Sequence, residues 1–387
     1  MSKLRRSRWA INLVFAANGI LVTTWAPHLP FLKVELSLSD SAIGLALLAG
    51  SIGAILGATL VAAPLNGHFG PDRVTRVATF AFALSIPLII TAESFSGLAA
   101  ALFYFGFTIA IMDVAMNAIA ADVEVAFKRP IMSSFHAAFS IGALAGAGVS
   151  SVAIDLAIDP GLHATVMTIL VLAAVTWALA VLPPAVRTLG KGESKRMALP
   201  RGTLLVVGLI AMVVLMAEGA VLDWSAILIA DSYAGTGWRI AAGLAAFQAT
   251  MAVCRLAGDW VNSHIGPVAL VRWGTALAAV GLGLAVTIQT PWGAIIGFAI
   301  MGIGLANTVP VVFTAAASHG RTSAEGLSSV AALGYAGFLI GPPATGFLSD
   351  LFTLPLALGI MAIACASVVP LARVAKPVRK AEPVATR

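Results

Sequence analysis

Two acids inside apolar runs raise the first question of chemistry. Asp113 lies in FTIAIMDVAMNAIAA, with Asn117 four residues on and therefore on the same helical face. Glu218 and Asp223 lie in MAEGAVLDWS. An ionised group at the centre of a bilayer costs about 2.5–3.5 kcal/mol, so an acid kept there marks a polar path or a hydrogen-bonded contact between helices. Asp113 is the strongest candidate for protonation or cation binding. Glu218 is the second, because five residues place Asp223 about 140° away on a regular helix. The two acids share one cavity only if Gly219 breaks the helix between them.

Other polar residues interrupt apolar runs in the same manner. Asn18 and Trp25 are seven apart, on one face, and His28 follows between Pro27 and Pro30. Ser133, His136 and Ser140 form a second stripe, while Gln248, Asn307 beside Pro310, and Tyr335 stand in separate runs. Together they are able to hydrogen-bond a polar solute while aromatic rings cover its apolar face. For Gln248, Asn307 and Tyr335, a bond between helices is an equal alternative. Lysine and arginine are missing from the run centres. Arg239 and Arg255 fall near run ends, which favours a neutral polyhydroxy compound or a cation over an anion. No P-loop is present, the six histidines are scattered, and Cys254 and Cys365 have no metal-ligand spacing. No cofactor, metal or enzymatic activity is implied.

These residues need elements to hold them. The chain is 59% hydrophobic and 10% charged, with a mean hydropathy of +0.98. That leaves too little charge to cover a soluble core of this size. Runs of about 20 apolar residues, each able to cross the hydrocarbon layer as helix, recur throughout. Twelve are read: 9–32, 42–65, 75–92, 97–122, 131–154, 163–183, 203–230, 239–261, 267–289, 292–317, 324–349 and 354–373. The expectation is an all-α membrane protein with a six-helix bundle over 1–185, a linker over 186–202, a second bundle over 203–375 and a tail over 376–387. Basic residues gather in alternate loops and at both ends, among them Arg5, Arg6, Arg73, Arg76, Lys195, Arg272 and Arg387. Both termini are therefore expected in the cytoplasm. His28 and Asp223 then fall toward the external mouth, where Asp223 is expected to find an ion-pair partner. The net charge of +6 is dispersed over short loops, which supports contact with anionic lipid and gives no nucleic-acid footprint.

The chain also repeats itself. NGHFGPDRVTR at Asn66–Arg76 and NSHIGPVALVR at Asn262–Arg272 share five residues at an offset of 196. Ser133-Ser134 with Ser328-Ser329, Gly142 with Gly337 and Gly146 with Gly341 repeat at 195. An even number of spans separates equivalent helices, so the halves share one orientation. Twelve spans, this repeat and the position of its loop resemble the major facilitator superfamily over nearly the whole chain. Among its members, the sequence looks most like bacterial fucose-permease-like and MosC-like permeases. In that family the loop after the second span latches the inner ends of the bundles. The resemblance assigns that role to Gly70, Arg73 and Arg76 in the first copy, and to Gly266 and Arg272 in the second. The usual aspartate is replaced by Gly67 and by Asn262, and Arg255 with Asp259, four apart, offers a substitute ion pair. A plainer alternative is that Gly70-Pro71 and Gly266-Pro267 only turn the chain.

The resemblance implies alternating access: two bundles rocking about a central polar site that opens to each side in turn. A small polar organic solute, a sugar or polyol, taken up with protons by a monomer, is the leading expectation. Proton-driven efflux of a cationic or amphipathic compound and a transporter-like receptor remain as alternatives.

Overall fold

The computed structural model describes residues 3–128, 131–182, 201–320 and 323–376. Most of the linker, the tail beyond residue 376, and the side chains of Ser133 and Asp259 lie outside the described set. Eleven helices among the described residues are long and apolar enough to cross a membrane: α1 (Leu4–Glu35), α2 (Asp40–Phe69), α3 (Pro71–Ile90), α4 (Phe95–Phe127), α5 (Ser134–Asp155), α6 (Pro160–Ala180), α7 (Thr203–Ser232), α9 (Trp260–Thr287), α10 (Pro291–His319), α11 (Glu325–Leu351) and α12 (Leu354–Ala375). Between α7 and α9 runs α8 (Arg239–Leu256). Its end arginines and Gln248 make it the least apolar of the twelve.

The two halves use one packing plan. α1 lies along α5, α2 along α4 and α3 along α6. The second half repeats these pairs as α7 with α11, α8 with α10 and α9 with α12. Glycines make the first pairing close. A Cβ on Gly142 would strike the backbone of Ala16, and one on Gly337 would strike that of Met212. The two glycines of the repeat thus do the same task in α5 and α11, by letting backbones touch. The loop repeat has a backbone counterpart as well. Gly70 has φ +87° and Gly266 φ +77°, a left-handed conformation that glycine adopts without a Cβ clash. Each is followed by a proline, Pro71 or Pro267, that starts the next helix.

The expected boundaries shift where helices continue or break. α2 passes 65 and runs to Phe69 through a widened π turn at Gly57–Ala62. At the matching place in the second half, α8 stops at Leu256 instead of continuing to 261. Ala257 interrupts it before helix resumes at Gly258. Prolines inside helices have a further effect, because each leaves the carbonyl four residues earlier without its N–H. Thr168 of α6 donates to the Ala83 carbonyl freed by Pro87, at 3.3 Å. Ser51 of α2 donates to the Phe338 carbonyl freed by Pro342, at 3.0 Å, and so joins the halves.

The halves meet mainly through α2 with α11 and α5 with α8. At the ends opposite the basic loops, Lys33 bridges Asp40 at 2.5 Å and Asp231 at 2.6 Å. Asp350 of α11 accepts the backbone N–H groups of Asp40 at 3.1 Å and Ser41 at 3.0 Å. Ser349 also donates to Asp40. On the other pairing, Ser151 donates to the Trp238 carbonyl at 2.8 Å. This outer side is closed. The inner stretch of α2 packs chiefly on α3 and α4 of its own half. A stripe of α4 from exposed Asp113 through half-buried Asn117 to exposed Ala121 is open toward the cytoplasmic end.

Candidate functional site

Asp113 stands near the middle of α4 on that accessible stripe. Asn117 turns back to it, its Nδ2 donating to the Asp113 carbonyl at 2.9 Å and to Oδ1 at 3.1 Å. One carboxylate oxygen is thereby oriented, and the other is left for an incoming group. Tyr335 of α11, in the other half, is exposed and lies within electrostatic reach of Asp113.

Arg255 forms the second centre. Pro310 has no N–H for the carbonyl four residues before it, and that carbonyl, Ala306, accepts from Arg255 Nε at 3.3 Å. Arg255 Nη1 donates to Ser140 Oγ of α5 at 2.8 Å, across the two halves. Nη2 stands 3.6 Å from Glu218 Oε1 of α7. Asn307 fixes the same corner by donating to the Cys254 carbonyl at 2.8 Å. His136, one turn before Ser140, is exposed beside Arg255 and sits edge-on to Phe15. The backbone of Arg255 lies in the last turn of α8, near the span end as expected, but its guanidinium reaches Ser140 of α5 and Glu218 of α7. Its long side chain spans more than a helical turn and brings the guanidinium back toward the centre. The acid that it meets among the described residues is Glu218; the expected partner, the Asp259 side chain, lies outside them.

Several expected site residues are instead packed between helices. Asn18, Trp25 and Gln248 are 2–4% exposed. Asn18 donates to Met116 Sδ at 3.7 Å, and Trp25 packs edge-on against Phe105. Their faces on α1 and α8 are turned toward neighbouring helices in this arrangement. Trp25 Nε1, Asn18 Oδ1 and Gln248 Oε1 have no hydrogen-bond partner among the described residues. His28 does not line an open mouth. It is buried with its Nε2 2.9 Å from His163 Nδ1 of α6. Asp223 has no ion-pair partner among the described residues; the outer pairs fall to Asp231, Asp40 and Lys33. Arg76 donates to the Leu179 carbonyl of α6 at 2.7 Å and pairs with Asp72, both within its own half. Arg73 is exposed and Arg272 half-buried. The described side-chain contacts of Arg76 in the first loop thus stay within its own half. The outer cluster of Lys33, Asp40, Asp231 and Asp350 escaped sequence reasoning. Its signal was the presence of acids at the external ends of three spans, in a chain with few charges.

No group of three or more His, Cys, Asp or Glu able to hold a metal occurs among the described residues. The Major Facilitator Superfamily profile matches residues 11–326. An uncharacterized MFS-type transporter of Yersinia pestis is 34% identical, covering 94% of each chain. The membrane protein MosC of Rhizobium meliloti is 30% identical over 93% of this chain and 89% of its own length. Among solved structures, the nucleoside transporter NupG is similar in fold, with a TM-score of 0.70, 14% identity and coverage of 97% and 99%. A bacterial homologue of the lysosomal transporter Spinster, inward-facing and unoccupied, gives a TM-score of 0.67 at 17% identity, covering 97% and 94%. Twelve spans among the described residues, in two like bundles, agree with these relatives: the chain is a multi-pass transporter of the Major Facilitator Superfamily, a non-enzymatic class, in the bacterial cytoplasmic membrane.

Proposed function

We propose that the protein takes up a small polar organic solute by alternating access coupled to protons. The observation that carries this reading is the Asp113–Asn117 pair, accessible at mid-helix and within electrostatic reach of Tyr335 of the other half. A carboxyl group between two moving bundles changes its surroundings as they rock, so its proton occupancy and the conformation are linked reciprocally. The fucose-permease-like resemblance supports uptake and a polyhydroxy solute. The second reading, efflux of a cationic compound, is favoured by Asp223, an acid inside the bundle with no partner among the described residues.

Asp113→Asn tests the coupling, since the amide retains hydrogen bonding without titrating. The variant is expected to fold, to bind solute and to lose accumulation driven by an imposed pH gradient in proteoliposomes. Full pH-driven accumulation by Asp113→Asn removes Asp113 from the coupling role. The direction of the gradient that drives accumulation separates uptake from efflux.

A further inference from the structure

We propose that Arg255 is the anchor for a carboxylate group on the transported solute, and that Glu218 is the internal counter-ion which this carboxylate displaces. The proposal rests on the transport reading above and names the substrate class of the same site.

A guanidinium has five N–H donors in one plane, matched to the two oxygens of a carboxylate. Arg255 uses Nε on the Ala306 carbonyl and one N–H of Nη1 on Ser140. Its remaining Nη1 and Nη2 donors have no acceptor within hydrogen-bond distance among the described residues. Glu218 Oε1, at 3.6 Å, is beyond that distance, and Glu218 accepts no hydrogen bond among them. A charge-assisted hydrogen bond is about 2.7–2.9 Å long, so at 3.6 Å this pair is an ion pair without a hydrogen bond. Here the charges compensate one another while the donors stay unspent. The side chains of Arg255 and Glu218 are only 17% and 15% exposed, so bulk water competes weakly for those donors.

The guanidinium plane is set without Glu218. One anchor is a carbonyl freed by Pro310 in α10, and the other is a hydroxyl in α5. A ligand oxygen pair is therefore able to replace Glu218 with no rearrangement of the arginine. Charge selects the kind of anion. α7 runs unbroken through Gly219, so Asp223 points away from Glu218. Glu218 on α7 and Asp113 on α4 contribute acids to this interior, against Arg255 as the arginine that contacts an acid there among the described residues. A monocarboxylate on Arg255 leaves the displaced Glu218 to be neutralised by one proton, whereas a dianionic phosphate would add a second negative charge with no further cation among the described residues to meet it. Because Ser140 belongs to the first half and Glu218 to the second, an anion on Arg255 is felt by both.

The test is thermal stabilisation of the purified full-length protein by lactate, gluconate and benzoate, each against its amide at constant ionic strength, since selective binding to the folded state raises apparent stability. Carboxylates are expected to stabilise the wild type more than their amides. Arg255→Gln should weaken half-saturation by about tenfold or more, the loss of a charge-assisted contact. Arg255→Lys, which keeps the charge without the fork, should fall between them and serves where the Gln variant fails to fold. Glu218→Gln should tighten carboxylate binding by removing the competitor. Equal shifts from acids and amides, an undiminished shift in Arg255→Gln, or no shift with any of the acids overturns the proposal. Proton-driven accumulation of a neutral solute in that event leaves the transport reading standing. Carboxylate binding without counterflow of any bound acid in proteoliposomes would instead overturn the transport reading, and with it the carrier part of this proposal.

Discussion

Lys33 of α1 lies 2.6 Å from Asp231 of α7, an ion pair that fastens the outer end of one half to the other. The same ammonium holds Asp40 at the start of α2. One cation therefore balances two acids, and neither acid has another cation within ion-pair distance among the described residues. Replacing Lys33 with Met leaves Asp40 and Asp231 repelling one another. The outer side should then open more often, by about 1 kcal/mol or a several-fold change in population, the upper range for a part-exposed pair. Spin labels on the outer ends of α1 and α7 should report a longer-distance component that the wild type lacks. An unchanged distance distribution in a folded variant would assign the closure to the apolar contacts around it.

Asp350 offers a separable test. Its carboxylate accepts the first N–H groups of α2, a capping contact supplied by the opposite half, while Ser39 caps the same helix from its own chain neighbourhood by accepting from Ala42. Asp350→Ala should leave α2 folded and weaken the outer closure by about 0.5–2 kcal/mol, the usual worth of a lost cap. External labelling of a cysteine placed at Ser41 should rise in this variant, with little change in melting temperature. A large fall in melting temperature with no gain in labelling would make the contact a matter of folding alone.

Three glycines on α5 separate packing from ornament. Gly142→Val places atoms against the Ala16 backbone and should destabilise by about 1–3 kcal/mol, read as a lower melting temperature. Gly148 has nothing within 4 Å of an added Cβ, so Gly148→Ala should be neutral or slightly stabilising through helix propensity. Gly146→Val, beside Ile20 and Thr23 of α1, should behave as Gly142→Val does. Equal melting temperatures for the Gly142 and Gly148 variants would contradict the close α1–α5 approach.

Much of this architecture was legible because it follows from periodic, local signals. Apolar runs located the spans, and the glycine-proline loops at 66–76 and 262–272 announced two halves that share a backbone conformation at Gly70 and Gly266. The pairing of Gly142 with Gly337 had a common physical cause. Asp113 with Asn117 was readable too, since four residues set their contact within one helix. What a single helix pattern does not carry is rotation and reach. Asn18 and Gln248 are polar, yet their faces turn into helix contacts that no single-helix pattern reveals. Arg255 was placed by its backbone position, while its contacts are set by where a long side chain ends. Pro310 was visible in the sequence, but the identity of the donor that would take the carbonyl it frees required three dimensions.

The widened turn in α2 and the break in α8 at Ala257 give the two inner arms unequal mechanics. A π turn and an interrupted i→i−4 ladder are both places where a helix bends, the first with its hydrogen bonds re-registered and the second with them broken. In the alternating-access motion proposed above, the α2 arm would bend at its π turn and the α8 arm at Ala257. Arg255 stands two residues before the break, on the part of α8 that faces α5 and α10. In that proposed motion, bending at Ala257 would leave Arg255, which lies before the break, held by the Ala306 carbonyl and Ser140.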